Sequence, residues 1–295
     1  MAKIGRFKND QARAEYLRAY DALETLWPLP QTQVDIETSF GTTHVRSSGS
    51  GSGLPLVLLP SFPGNGLQWH GLIKDLTRDR TVYAFDAIGA AGKSVQTAPF
   101  TGEADIAAWL AEVLAGLGLT RAHVLGYSQG SRLASLLALY APERLASVTL
   151  IEPNGLLVKM KWSVLFRIMR FGIRPTEANR VKMAAWLTPG VTMNEREIAC
   201  LHAALAFHNT LGWPRLLEDA ELQSISTPVL AVFGGDSVAG NAVAAAERVT
   251  DLLPHGQSRI VPGMGHGVID QAPDEVVPRV LEFLAQHDHS DATPR

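Results

Sequence analysis

Cysteine is almost absent from this chain: Cys200 is the only one in 295 residues. A single thiol closes no intrachain disulfide, so a secreted disulfide scaffold is excluded and a cytoplasmic protein is expected. Dominance of one charge is missing too. Lys and Arg number 26 against 29 Asp and Glu, a net charge of −3 with no basic stripe. Neither nucleic acid nor an anionic membrane is therefore an expected partner. No apolar run is long enough to span a bilayer, and the basic start Met1–Asp10 lacks the apolar stretch of a signal peptide. The nine histidines are scattered, without a pair four apart on an evident helix face, so no metal site is expected. There is no internal repeat and no signal for an oligomeric state.

What is there is globular composition, 46% hydrophobic and 19% charged. The length suits one α/β domain with an insertion. A helix is expected from about Asp10 to Leu26, with Tyr16, Leu17, Tyr20 and Leu23 on one face, stopped by Trp27-Pro28-Leu29-Pro30. Val34–Thr38 and Thr43–Ser47 read as a hairpin around Phe40-Gly41. The low-complexity run Ser47–Gly53 reads as a mobile loop. Apolar strands are then expected at Leu56–Leu59, Val82–Phe85, Val124–Tyr127, Val148–Ile151, Pro228–Phe233 and Ser258–Val261. Helical segments separate them at Gly66–Thr77, Thr101–Leu117, Gln129–Tyr140, Ala242–Leu253 and Ala272–His287. Strand–helix alternation of this kind implies a mostly parallel sheet covered by helices on both faces.

One interval breaks the rhythm. Pro153–Thr227 shows no strand and reads as helices at Leu156–Phe171, Thr176–Leu187, Asn194–Leu211 and Pro214–Leu222. A crossover needs only one helix, so residues 156–222 are expected to form a cap inserted after the sixth strand, between core segments 1–155 and 223–295. Most of its aromatics, Trp162, Phe166, Phe171, Trp186, Phe207 and Trp213, should pack the cap onto the core, and a minority should touch substrate. Trp162, Phe166, Trp186, Phe207 and Trp213 are the candidates for that pocket. The polar tail Asp288–Arg295 reads as disordered.

The chemistry concentrates at Gly126-Tyr127-Ser128-Gln129-Gly130. An apolar run precedes this G-x-S-x-G pentapeptide and a strong helix former follows it. Strand, sharp turn and helix make a nucleophile elbow, in which glycines let backbone pass close and the serine hold a strained turn. A serine needs a base, and His266 in the glycine-rich stretch Gly263–Gly267, after the last strand, occupies the place for it. The orienting acid is expected at Asp236, directly after the Pro228–Phe233 strand, with Glu152 at the end of the preceding strand as the alternative. The oxyanion donors are expected to be the backbone N–H groups of Gln129, at the helix start, and Phe62, in the loop Pro60–Gly66. Pro63 has no N–H to offer.

Together these residues resemble the α/β-hydrolase superfamily over nearly the whole chain. Within it the sequence is most similar to the carboxylesterase NP (YbfK-type) group. The segments that carry the finer likeness are Leu26–Pro30, Phe40–Val45, Asp86-Ala87-Ile88-Gly89 and Lys93-Ser94. The resemblance implies an α/β-hydrolase fold, a helical cap, a catalytic triad and hydrolysis of carboxylic esters without a cofactor. Two positions depart from the family pattern. The oxyanion loop usually begins His-Gly and here begins Pro60-Ser61; the usual acid position, three residues after the strand-ending glycine, holds Ser237.

The leading expectation is thus a serine esterase acting on small, moderately hydrophobic esters through an acyl-enzyme. A thioesterase, lactonase or acyltransferase, a triad reused for elimination, and a hydrolase-like binding protein are the alternatives, which fold alone does not separate. Ser128 at the elbow sets the chain apart from dehalogenases and epoxide hydrolases, which place Asp there. Gly89-Ala90-Ala91-Gly92 is no dinucleotide fingerprint.

Overall fold

Leu56-Val57-Leu58-Leu59 shows how the core is laid out. All four are buried, and alternate residues enter different apolar clusters: Val57 and Leu59 one, Leu56 and Leu58 the other. A strand's period of two sends neighbours to opposite faces, so this sheet is covered on both. The computed structural model describes residues 3–288 except 154, 161, 174 and 175. In chain order its strands are β1 (Arg6–Phe7), β2 (Thr32–Thr38), β3 (Gly41–Ser48), β4 (Leu56–Leu59), β5 (Val82–Phe85), β6 (Val95–Gln96), β7 (Ala122–Tyr127), β8 (Leu145–Ile151), β9 (Phe207–His208), β10 (Val229–Gly234) and β11 (Gly256–Val261). Its α-helices are α1 (Asp10–Glu24), α2 (Ile73–Leu76), α3 (Glu103–Gly116), α4 (Gln129–Tyr140), α5 (Trp162–Ile173), α6 (Glu177–Leu187), α7 (Glu195–Ala204), α8 (Asp219–Ser224), α9 (Ala242–Leu252), α10 (Val268–Gln271) and α11 (Pro273–His287).

The main sheet runs β11-β10-β8-β7-β4-β5-β3-β2, with β6 beside β3. β4, β5, β7, β8, β10 and β11 pair in parallel, while the β2–β3 hairpin joins antiparallel through β5. One face carries α3, α4 and α9 around Trp109, Leu133 and Val249. The other carries α1, α2 and α11 around Tyr16, Leu76 and Phe283. Trp109 is fully buried and satisfies its indole N–H on Thr43 Oγ1 at 2.7 Å.

Three expectations change. Gly66–Thr77 divides into a 3-10 helix, Gly66–Gly71, and the short α2. The glycine-rich loop packs closely rather than hanging free: Gly53 N donates to Asp79 O at 3.1 Å, and a Cβ on Gly51 would lie 1.9 Å from that oxygen. The interval expected to lack strands holds β9, which pairs antiparallel with β1 at the N-terminus. That pairing follows from the edge-on packing of Phe207 on Phe7, with ring centroids 4.9 Å apart. The insertion otherwise carries α5, α6, α7 and α8 between β8 and β10. Of the polar tail, Asp288 is bound to Arg80 and His123; the remaining positions lie outside the described residues.

Candidate active site

β7 delivers the chain to Ser128 and α4 leads it away at Gln129. Between them Ser128 adopts φ 53° and ψ −107°, a left-handed conformation that costs a side-chain-bearing residue about 1–3 kcal/mol. The glycines on either side make it possible. A Cβ on Gly126 would lie 2.2 Å from Gly130 O, and one on Gly130 would lie 2.1 Å from Leu59 O. Ser128 N donates to Ile151 O at 2.8 Å, and Ser131 Oγ lies 2.7 Å from Gly126 O and 2.8 Å from Ile151 O. The elbow is thus pinned to the end of β8.

His266, 7% exposed, comes from the loop between β11 and α10. Its Nε2 stands 3.1 Å from Ser128 Oγ and its Nδ1 3.0 Å from Glu152 Oε2. A carboxylate can only accept, so Nδ1 carries the proton and, in the neutral ring, Nε2 is left to accept from the serine. The histidine loop is tied on several sides. Tyr127 OH donates to His266 O at 2.9 Å, and burial pushes that phenol well above its ordinary pKa, so it stays a donor. His266 N donates to Leu187 O at 3.1 Å, at the end of α6 in the insertion. Gln271 accepts from Gly265 N at 2.7 Å through Oε1 and donates to Pro189 O through Nε2.

The carboxylate on His266 is Glu152, the alternative of the two expected acids; Asp236 is not the one brought there. Glu152 follows the last residue of β8 and is fully buried, at φ 50°. β8 and β10 are neighbours in register, Ile151 opposite Val232, so Glu152 arrives beside Gly234. Its Oε1 accepts from Gly234 N at 2.6 Å, and its Oε2 accepts from Ser237 Oγ at 2.6 Å as well as from the histidine. These donors offset the cost of burying a charge. Asp236, past the strand end, has its N–H bound to Met264 O at 2.9 Å and its side chain exposed. Ser237, where the family pattern has an acid, contributes a hydroxyl to the carboxylate instead.

Among the described residues, neither the Phe62 nor the Gln129 N–H has a hydrogen-bond acceptor. Gln129 opens α4, where free N–H groups and the helix dipole favour negative charge. Phe62 is 53% exposed in the loop after β4. That loop has a brace that the sequence did not announce. Gln68 Oε1 accepts from Ser61 N at 2.9 Å and from Ser61 Oγ at 3.1 Å, and Gly64 N closes onto Ser61 O at 2.8 Å. Beneath it, buried Asp86 accepts from Gly66 N at 2.8 Å and Lys93 N at 2.7 Å, which accounts for the Asp86 and Lys93 segments.

The expected pocket aromatics separate. Trp162 and Phe166 are 83% and 65% exposed, which is not the setting of a pocket lining. Phe207 packs on Phe7. Trp186 is half-buried under the guanidinium of Arg167, 4.4 Å from its ring centroid. Trp213 is exposed and adjoins Gly212, whose carbonyl accepts from Gln129 Nε2 at 3.3 Å. The side chain of Phe171 lies outside the described residues. No group of His, Cys, Asp and Glu suited to a metal occurs among the described residues.

Comparison with known proteins agrees with this architecture. The family described as the alpha/beta hydrolase fold matches residues 55–174. Carboxylesterase YbfK of Bacillus subtilis strain 168 is 30% identical over 279 residues, covering 91% of this chain and 93% of its own. The crystal structure of carboxylesterase CesB (YbfK) from Bacillus subtilis matches with a TM-score of 0.86 at 28% identity, covering 94% of this chain and 99% of that one. That of naproxen esterase (carboxylesterase NP) from the same organism matches at 0.85 and 25% identity, covering 92% and 97%. The chain belongs to the α/β-hydrolase family, among the carboxylesterases of the YbfK and carboxylesterase NP group.

Proposed function

We propose that this carboxylesterase-type hydrolase cleaves small hydrophobic carboxylic esters with Ser128 as nucleophile, His266 as base and acid, and Glu152 as the orienting acid. The observation that carries this reading is the hydrogen-bonded line from Ser128 Oγ through both His266 nitrogens to a buried Glu152. Ser128 Oγ attacks the ester carbonyl carbon as its proton passes to His266 Nε2. The oxygen of the tetrahedral intermediate turns to the N–H groups of Gln129 and Phe62. As the C–O bond to the alcohol breaks, Nε2 gives its proton to the leaving oxygen. Water then gives a proton to Nε2 and attacks the acyl carbon, and release of Ser128 with that proton frees the acid product. Glu152 holds the ring in the required tautomer and stabilises the imidazolium formed in each half.

The insertion 156–222 acts in this reading as a cap. Its Leu187 carbonyl holds the histidine backbone, and the half-buried Trp186 next to it is the cap aromatic assigned to the substrate. Ser128→Ala is expected to lower turnover of short p-nitrophenyl esters by at least about 10⁴-fold and to abolish fluorophosphonate labelling. Labelling that persists in the variant contradicts the assignment of the nucleophile.

A further inference from the structure

Helix α5 presents to solvent a surface that the catalytic site does not use. Trp162, Phe166 and Met169 are 83%, 65% and 56% exposed. They stand at i, i+4 and i+7 and so share one face. Val164, on the opposite side of the helix, is buried. The helix is therefore apolar both inward and outward, and a contiguous outward apolar stripe marks a surface that meets a partner.

The charge around the stripe identifies the partner. From Gly155 to Thr176 the sequence contains Lys159, Lys161, Arg167, Arg170 and Arg174 and none of the chain's 29 acidic residues. Lys159 and Arg170 are exposed. A net charge of −3 over the whole molecule conceals this local excess, and the expectation that no basic stripe exists needs correcting at this one segment. Large apolar side chains on a helix face flanked by lysine and arginine match the pattern of a helix lying in a membrane interface. A second copy of the chain would set the same basic segment against itself, and like charges brought together are repelled.

We propose that α5 docks the protein on an anionic lipid surface. Trp162, Phe166 and Met169 enter the headgroup layer while Lys159 and Arg170 meet the lipid phosphates. The helix also has a route to the active site. It packs against α6, Arg167 of α5 lies over Trp186 of α6, and α6 ends at Leu187, whose carbonyl holds His266 N. A surface-bound α5 therefore sits one helix away from the catalytic histidine, beside a phase in which apolar esters concentrate.

The test is co-sedimentation of the full chain with vesicles of phosphatidylcholine alone and with about a quarter phosphatidylglycerol added. Binding is expected only to the anionic vesicles and is expected to fall as salt rises. Arg170→Gln should weaken it by about fivefold, the worth of one basic residue near a charged membrane. Phe166→Ser with Met169→Ser should weaken it further. Turnover of soluble p-nitrophenyl acetate should remain at the wild-type level in both variants, which shows that they are folded. Equal binding to both vesicle types, or to neither, overturns the proposal. So does a concentration-dependent dimer of the wild type that Phe166→Ser with Met169→Ser dissolves, since the stripe would then belong to a second copy. The readout is vesicle binding, so its failure leaves the reading of Ser128 untouched.

Discussion

Ser128 and Glu152 are the only residues besides glycine with positive φ among the described residues, and both touch His266. Local strain at both ends of one hydrogen-bonded line is what a preorganised site requires, since strained conformations persist where the surroundings impose them. The supporting residues yield predictions of their own. Gln68 braces the loop after β4, the proposed source of an oxyanion donor, through Ser61. Gln68→Met should reduce kcat for p-nitrophenyl acetate by about tenfold with KM little changed, because a displaced donor weakens only the transition state. Steady-state kinetics check this, and Gln68→Glu, which keeps an acceptor, should recover part of the loss. Ser237 completes the carboxylate's partners, and Ser237→Ala should have a smaller effect than any change at Glu152, since Gly234 N remains a donor.

At the scale of elements, the contacts between backbones decide what can change. The crossing of α4 over the end of β4 leaves no room beyond hydrogen at Gly130, where a Cβ would lie 2.1 Å from Leu59 O. Gly130→Ala should destabilise the fold by more than about 2 kcal/mol, read from its urea midpoint, while Gly71→Ala, with open space around it, should not. The sheet strands were legible because each is a short apolar run: Leu56–Leu59 and Val82–Phe85 occur in the structure with the expected bounds. The elbow was legible because its glycines and serine are tied to one backbone shape. The acid was less so. Asp236 stands in the loop directly after its own strand, one residue short of the family position, but Glu152 reaches His266 through the register of β8 beside β10, and pairing between strands far apart in sequence leaves no local mark. Gln68 was hidden for the same reason, being a polar side chain whose task is set by a loop folded back on it. Trp162 and Phe166 read as pocket candidates in the sequence because an aromatic inside an insertion does not disclose which side of its helix meets the core.

Across the whole molecule, a second buried network lies at the ends of the strands opposite the elbow. His123 at the start of β7 is fully buried, with Nδ1 2.8 Å from Ser147 Oγ and Nε2 3.1 Å from Asp288 Oδ1. Asp288 also accepts from Arg80 and from Leu54 N, so it fastens the end of α11 to the base of the sheet. Burial lowers the His123 pKa to about 4. A folded-state value below the unfolded one means that the unfolded chain binds more protons between the two. The stability contributed by neutral His123 is therefore complete above about pH 6.5 and is lost as pH falls toward 4, amounting to about 3 kcal/mol. The lowered pKa of Asp288, held by Arg80 and His123 against its burial, loses stability in the same direction at still lower pH. Thermal melts between pH 7 and pH 4.5 should show a falling Tm in the wild type and a flatter dependence in His123→Gln.

The line Ser128–His266–Glu152 carries the proposed mechanism, and its acid is the member most open to test. The direct measurement is kcat/KM for p-nitrophenyl acetate in Glu152→Gln beside Asp236→Asn, with each variant's fold checked by its melting curve. Loss of about 10⁴-fold in Glu152→Gln with near wild-type activity in Asp236→Asn is the predicted result. The reverse order, an active Glu152→Gln and a crippled Asp236→Asn, would contradict it.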